Sequence, residues 1–358
     1  MTKGMSSRSR RRGLVCILVL LIASVASCGG DEIPVQVKLT RSVSKLPLII
    51  ALDQGLYRKY GLDIEVRMDE PDFDGGKHLP SKSHLARTWR RIRLATGFEA
   101  EWSPEIVVNG ANYHIIEYLT KAKEPHRVSI AATDCIVRQY VVGNEELQRV
   151  EDLKGKRIGI TSPGANSEFV ARSLAERMGW DIVQDISLMQ GGNKLEDMRL
   201  GRVDAVIGTE RLYARAIEEG LPILVDATEW NEPMAGNSIL VPPEWMEDPV
   251  KRETARRFLK ATIEGIALFH QDRELALEVL RKWHGVADRR HAESIYDGGR
   301  WIPRKPYPCY EGIQRGTQRY DSNEMRKFKP EDFYDDSLMR ELDESGFIAE
   351  VYAEIEAR

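Results

Sequence analysis

Residues 46–66 read Leu-Pro-Leu-Ile-Ile-Ala-Leu-Asp-Gln-Gly-Leu-Tyr-Arg-Lys-Tyr-Gly-Leu-Asp-Ile-Glu-Val, and two periodicities meet within them. Apolar side chains recur at helical spacing from Pro47 to Tyr60, and Gly61 is a typical helix stop. Residues 62–68 then alternate apolar and polar side chains, as residues 35–40 do before the helix. The stretch therefore predicts a strand–helix–strand unit with parallel strands and a right-handed crossover.

The same alternation of strands and helices continues through the middle of the chain. Further strands are predicted at residues 106–108, 128–131, 156–160, 182–188, 203–207, 223–225 and 238–241. Helical spacing separates several of them, at residues 112–122, 167–178 and 211–219, and the chain after residue 249 is mostly helical. Strands that alternate with helices predict an α/β fold, in which residues 238–241 return to the first sheet.

The first 28 residues have the layout of a bacterial lipoprotein export signal. Five basic residues precede an apolar run at residues 14–25, and small residues ending in Cys28 follow it. The run is shorter than the roughly 20 residues that a membrane-spanning helix needs. We expect removal of residues 1–27, acylation of Cys28 and a tether over residues 28–34. The alternative is an ordinary secretory signal, and the export route, Sec or twin-arginine, stays open.

Composition limits the classes of function that the chain can serve. It has 358 residues, enough for two ordinary domains, with 42% hydrophobic and 30% charged residues. The formal net charge is −4, and it becomes more negative once the basic leader is removed. An acidic surface argues against nucleic-acid binding, although a local site can still attract an anion. No second long apolar run follows, so we expect membrane contact through the lipid anchor alone.

Two cysteines remain beyond the leader and the lipidation site. Cys135 and Cys309 can pair in an oxidising compartment, or they can be buried free thiols. Neither has another cysteine or a histidine at metal-ligand spacing, so the sequence does not indicate a zinc site.

Motifs for catalysis and nucleotide binding are absent from the sequence. It has no His-Glu-x-x-His, no Gly-x-Ser-x-Gly and no Gly-x-Gly-x-x-Gly, and no Lys-Ser or Lys-Thr follows Gly164. His114 lies on a predicted helix with Tyr113 and Tyr118, and we interpret it as a packed or surface residue. We expect no enzymatic activity, no bound metal and no cofactor.

Several blocks resemble one family. Residues 46–66 resemble the opening of ABC-transporter solute-binding proteins, specifically those for aliphatic sulfonates, taurine, nitrate and thiamine pyrimidines. Residues 150–160, 200–206 and 258–265 resemble that family's entry to its second lobe, its helix-to-strand turn and its long C-terminal helix. The resemblance covers residues 33–350, and its motifs are specific in combination. Residues 69–104 depart from it, because relatives have a shorter helix there.

The resemblance implies a two-lobed, periplasmic-binding-protein-like fold of type II. Two crossover segments would join the lobes, and the ligand would bind in the cleft between them. Residues 35–134 and 235–358 would form a discontinuous first lobe, and residues 135–234 the second. We expect a monomer that faces the periplasm or the cell exterior.

Candidate ligand contacts in the first lobe follow its predicted strands. Ser42 and Ser44 can cap the next helix or offer hydroxyls to ligand oxygens. Asn112 lies at a predicted helix start, where backbone N–H groups bind anions. Thr133 and Asp134 close the first sheet and are either hinge or ligand contacts.

In the second lobe the best candidate is the 161–167 turn. Ser162, Gly164 and Asn166 combine hydroxyl, glycine and helix start, and the resemblance implies that the second lobe holds ligand there. Thr209 and Glu210 stand where relatives often have a Trp-Glu-Pro-like turn, so an aromatic wall is not assumed.

A basic stretch within residues 69–104 offers an alternative. The predicted helix at residues 83–94 carries Arg87, Arg90, Arg91 and Arg93. We interpret it as a solvated amphipathic helix, and the alternative is that its arginines line an anion site.

The leading hypothesis is a lipid-anchored receptor that captures a sulfonate, nitrate, carboxylate or pyrimidine-like molecule and delivers it to an ABC permease. One alternative is an enzyme like the thiamine-pyrimidine synthase of the same fold family, whose cysteine-rich motif is missing here. Another is a ligand sensor that acts through a separate signalling partner.

Overall fold

The computed structural model describes residues 32–40, 42–69, 104–121, 126–192, 195–320 and 322–357. The predicted leader, Cys28 and the basic helix at residues 83–94 lie outside these ranges, as does nearly all of the divergent segment.

The described strands form two five-stranded sheets. The first has the order β2-β1-β3-β10-β4 and the second β7-β6-β8-β5-β9. Their bounds are β1 Ile33–Thr40, β2 Leu62–Asp69, β3 Ile106–Gly110, β4 Val128–Ala132, β5 Tyr140–Gly143, β6 Arg157–Ile160, β7 Ser187–Gln190, β8 Ala205–Gly208, β9 Ile223–Asp226 and β10 Asn237–Val241. The helices are α1 Leu46–Asp53, α2 Leu56–Lys59, α3 Ala111–Lys121, α4 Asn166–Met178, α5 Leu195–Arg199, α6 Glu210–Glu219, α7 Glu244–Glu247, α8 Pro249–Gln271, α9 Arg273–His284, α10 Arg289–Asp297, α11 Tyr310–Arg319, α12 Ser337–Glu344 and α13 Phe347–Glu356.

The predicted α/β fold is confirmed. β1 pairs in parallel with β2 and β3, and β10 returns antiparallel between β3 and β4. In the second sheet β6 is parallel to β7 and β8, while β5 runs antiparallel to β8 and β9. The chain passes between the sheets twice, at residues 133–139 and 227–236. Each sheet thus contains one antiparallel strand between parallel ones, and two crossovers join the sheets, as the resemblance implied.

Each sheet has its own hydrophobic core. α1 and α8 pack on the first sheet around Ile49, Phe258 and Ile263, and α4 packs on the second around Phe169 and Val170. Burial of each such side chain contributes roughly 1.5–3 kcal/mol, so each sheet is stabilised by its own core. Among the described helices, none combines the length and the apolar character required to cross a bilayer.

Three local predictions were wrong in detail. The single helix predicted over residues 47–60 breaks into α1 and α2, because Gly55 adopts a left-handed conformation at φ 67°. The strand predicted at residues 182–188 is a turn until Ser187, since Asp181 Oδ1 accepts the amides of Val183 and Gln184. Strand β5 was not predicted, because its four residues are too few to show a period.

Candidate ligand-binding site

The predicted contacts in the first sheet lie at strand ends. Ser42 and Ser44 follow β1, Asn112 lies in the first turn of α3 after β3, and Thr133 and Asp134 follow β4. The carboxyl ends of parallel strands are where open α/β sheets bind ligands.

The predicted contacts in the second sheet follow β6 and β8. Asn166 is the first residue of α4, which Ser162 and Gly164 precede, and Glu210 begins α6 after Thr209. Both groups occupy the same type of position as those of the first sheet.

The two sheets meet at these positions. A Cβ built on Gly110 would lie 3.3 Å from Asn166 Oδ1, and one built on Gly164 would lie 2.8 Å from Ile116 Cβ. The 161–167 turn therefore packs against the start of α3, so the structure brings the Asn112 helix and the Asn166 helix together.

A network of short side chains fixes the end of β1. The hydroxyls of Ser42 and Ser44 are 3.0 Å apart, and Asn237 Nδ2 donates to Ser44 Oγ. The amide of Thr133 donates to the carbonyl of Asn237 at 2.8 Å. The structure places Asn237, at the start of β10, between Ser44 and Thr133.

Buried polar atoms without partners gather here. Within the described part of the chain, no hydrogen-bond partner is found for the side-chain amide of Asn112, Thr133 Oγ1, Asp134 Oδ1 or Asn166 Oδ1. Asn112 and Thr133 are 1% and 0% exposed. An unpaired buried polar group costs roughly 1–3 kcal/mol, so native proteins keep few of them. Four predicted contact residues are in this state where the two sheets meet, an arrangement that a polar ligand would complete.

His114, interpreted from the sequence as a packed or surface residue, is packed in the interior. It is 8% exposed, and neither ring nitrogen has a partner among the described residues. Burial lowers the pKa of His114 to about 3, and the charges of Arg127, Lys38 and Lys45 add to that effect. The ring is therefore neutral at physiological pH and offers one donor and one acceptor.

Lys45 is the residue that sequence reasoning missed most clearly. Its side chain is among the largest that are fully buried, at 1% exposed. Its charge lowers the pKa of Asp134 as well as that of His114, so it lies near both. A lysine beside two serines gave no sign in the sequence that it would turn inward.

The negative charge of Glu210 acts on Asp134. Burial is the main reason that the pKa of Asp134 is raised to about 7, the charge of Glu210 acts in the same direction, and the charges of Arg138 and Lys45 oppose both. Burial also raises the pKa of Glu210. The sequence alone could not show that the fold brings these two carboxyls near each other.

Replacing Asp134 by asparagine is expected to stabilise the protein in a pH-dependent manner. A folded-state pKa of about 7, above the ordinary 3.8, means that ionised Asp134 destabilises the folded state at high pH. The gain in unfolding free energy should be on the order of 1–3 kcal/mol at pH 8.5 and shrink toward pH 5. Denaturant titrations across this range measure it. Exposed Asp63, replaced in the same way, serves as control, and an equal gain at every pH would contradict the assignment.

Two tyrosine rings pack together beside the second sheet. The rings of Tyr140 and Tyr213 lie 4.5 Å apart between β5 and α6. Burial raises the pKa of Tyr140 to about 12, with contributions from Asp226 and Glu210, so the pair lies beside the carboxyl site. The guanidinium of Arg138 lies 5.1 Å from the ring centre of Trp301. Flat surfaces and charged groups of both signs thus share one region.

The 161–167 turn is braced by its own hydrogen bonds. The amide of Gly164 donates to Glu168 Oε2 at 2.6 Å, and the amide of Thr161 donates to Ser167 Oγ at 2.9 Å. Gly164 has φ 80°, which other residues rarely adopt. The amide of Gly164 is thus already used, and the expected ligand contact falls to Ser162, Asn166 and the rest of the turn.

Open pockets occur elsewhere on the surface. One of about 250 Å³ is lined by Leu56, Lys59 and Glu264, and another by Tyr310, Tyr334 and Arg340. Neither includes a predicted contact residue. In the described part of the chain, no cluster of three or more His, Cys, Asp or Glu residues could hold a metal ion.

Residues 132–276 match the family model described as NMT1/THI5 like. The matched residues span the second sheet, both crossovers, β10 and all of α8, and so include Thr133, Asp134, the 161–167 turn and Glu210. The resemblance predicted from the sequence blocks is thereby confirmed. No curated protein matches the chain significantly.

Solved structures share the fold over most of the chain. The periplasmic nitrate-binding protein NrtA from Synechocystis PCC 6803 has a TM-score of 0.63 at 12% identity, covering 88% of this chain and 89% of its own. The periplasmic aliphatic sulphonate-binding protein SsuA from Escherichia coli has a TM-score of 0.58 at 16% identity, covering 84% of this chain and 99% of its own. The desulfurization enzyme DSZB has a TM-score of 0.55 at 11% identity, covering 87% of this chain and 99% of its own. At these identities the likeness shows the fold, here that of periplasmic binding proteins.

Proposed function

We propose that this protein is an extracytoplasmic solute-binding protein that closes its two lobes on a small polar molecule and delivers it to an ABC permease. The observation that carries the proposal is the group of buried, unpartnered polar atoms on Asn112, Thr133, Asp134 and Asn166, where the two sheets meet. The nitrate- and sulphonate-binding proteins of the same fold support it. The lobes are residues 35–134 with 235–358, and residues 135–234.

The ligand is a sulfonate, nitrate, a carboxylate or a pyrimidine-like ring. Lys45 and the hydroxyls of Ser42 and Ser44 suit an anionic group, whereas the Tyr140–Tyr213 pair suits a flat ring. A thermal-shift screen of these four classes decides between them. A ligand at a hundredfold its dissociation constant stabilises the protein by about 2.7 kcal/mol. Recovering the bound molecule unchanged separates binding from the catalysis that the shared fold of DSZB also permits.

The 161–167 turn is expected to contribute more affinity than the basic helix at residues 83–94. Replacing Ser162 and Asn166 by alanine removes short, preorganised polar groups, which lose little entropy on binding. Replacing Arg90 and Arg91 by glutamine removes charges on long side chains, which cost more to order. Calorimetry on both double variants should show the larger loss, about tenfold or more, for the first. A larger loss of affinity for the arginine variant would indicate that the site lies in the divergent segment, residues 69–104.

Cys28 anchors the protein to the membrane through acyl chains. The basic leader, the apolar run at residues 14–25 and the small residues before Cys28 support this assignment. Replacement of Cys28 by alanine should release the protein from the membrane fraction and abolish labelling by a palmitate analogue. Labelling that persists in the variant, or wild-type protein that takes up no label, counts against the anchor.

A further inference from the structure

Helix α11 lies against the second crossover and the start of α3. A Cβ built on Gly312 would lie 2.2 Å from the carbonyl carbon of Met234, and one on Gly316 would lie 2.2 Å from Asn112 Oδ1. Ile313 is fully buried in a cluster with Ala111 and Ile116 of α3. Two glycines one helical turn apart therefore let α11 pack closely against the second crossover and against a predicted ligand contact.

The far end of α11 is attached to the second sheet's helix α4. Arg319, whose side chain is 5% exposed, donates to Glu176 Oε2 at 2.6 Å and to Ser173 Oγ at 2.7 Å. Its guanidinium lies 4.2 Å from the ring centre of Phe169. α11 thus packs on the first sheet's side through Ile313 and bonds to α4 through Arg319.

Tyr320 extends this attachment to the 161–167 turn. Its hydroxyl donates to Glu168 Oε2 at 3.1 Å, and the same oxygen accepts the amide of Gly164 at 2.6 Å. The other oxygen of Glu168 accepts from Arg172 at 2.7 Å. One carboxylate therefore joins the C-terminal end of α11 to the backbone of the turn.

We propose that α11 is a latch between the lobes, and that Tyr320 is a positioning residue that holds the 161–167 turn through Glu168. This extends the proposed function, since it takes the turn to be a ligand contact. The 161–167 turn lies against α3, with Gly164 beside Ile116, and Asn112, Thr133 and Asp134 are buried, so we take this as the closed arrangement of the cleft. Contacts that span the lobes in this arrangement stabilise it over any arrangement that exposes those residues. Hence the latch favours closure.

The test compares Tyr320→Phe with Tyr310→Phe, at the two ends of the same helix. Each change removes one hydroxyl bonded to a carboxylate, but the hydroxyl of Tyr310 donates to Asp336 at 2.8 Å, away from the turn. Hydrogen exchange is measured on the ligand-free, full-length protein. Peptides covering residues 161–167 should exchange about two- to tenfold faster in Tyr320→Phe, the factor expected for one hydrogen bond, and unchanged in Tyr310→Phe. Glu168→Gln should accelerate the same peptides.

Equal exchange in the two tyrosine variants would overturn the latch. So would acceleration spread evenly over β6 and β8, since that indicates general destabilisation of the second sheet. These readouts need no ligand, so they stand even if the solute screen finds none and the proposed function fails. With a ligand from the screen, Tyr320→Phe should also raise the dissociation constant by a similar factor, and Tyr310→Phe should not.

Discussion

Replacing Cys135 and Cys309 together by alanine is expected to lower the free energy of unfolding by roughly 2–5 kcal/mol. The two residues form a disulfide across a sequence separation of 174. Joining such distant residues removes much conformational entropy from the unfolded chain, and the chain-entropy estimate for a loop of this length is near the top of that range. Guanidinium denaturation of the oxidised wild type and the double variant measures the difference.

A matched control separates the covalent link from side-chain packing. The reduced wild type keeps both sulfur atoms but loses the bond, so it should denature close to the double variant. If reduction leaves the midpoint unchanged while the double variant is destabilised, packing rather than the cross-link is responsible. A loss below about 0.5 kcal/mol in both would contradict the expectation.

Replacing Glu232 by alanine should destabilise the protein by about 3–5 kcal/mol. This carboxylate is 3% exposed on the second crossover, and it accepts from Ser173 at 2.8 Å, Arg315 at 2.9 Å and Arg319 at 3.1 Å. Its removal leaves the buried guanidinium of Arg319 with Glu176 as its remaining acidic partner. The cost arises mainly from that under-compensated charge, since the partly exposed Arg315 can turn to solvent.

The pH dependence identifies the mechanism. Burial works to raise the pKa of Glu232, but Ser173 and the neighbouring arginines outweigh it, so the pKa lies below its ordinary value. A carboxyl with a lowered folded-state pKa stabilises the protein above the ordinary value of 4.5 and loses that contribution in more acidic solution. The gap between wild type and Glu232→Gln should therefore close as the pH falls below that value. Glu229→Gln, an exposed residue on the same crossover, should show no such gap.

Most of the fold could be predicted because its signals are local. Residues 46–66 show the helical and the strand periodicity within 21 residues. The strands before and after the helical part, β1 and β2, pair in parallel as expected. Strand β1 starts at Ile33, two residues earlier than its alternation suggested. The prediction was wrong where side-chain chemistry overrode the pattern, as at Asp181, and incomplete where an element was too short, as for β5.

The candidate site was only partly predictable, and the reason is burial. Strand ends are readable from sequence, which is why Ser44, Asn112 and Asp134 could be named in advance. Lys45, His114 and Asn237 differ from surface residues of the same type only through packing between distant segments, which no local pattern records. For the same reason, the sequence left undecided whether Cys135 and Cys309 form a disulfide or are free thiols.

The insertion of β10 between β3 and β4 also sets an order for folding during synthesis. The first sheet lacks the antiparallel strand that pairs with β3 and β4 until residues 237–241 have been made, whereas the second sheet is built from the continuous stretch of residues 140–226. The second sheet can therefore fold while β3 and β4 still lack the strand that pairs between them. Until then β3 and β4 expose unpaired edges, so a chaperone would find binding sites on these two strands.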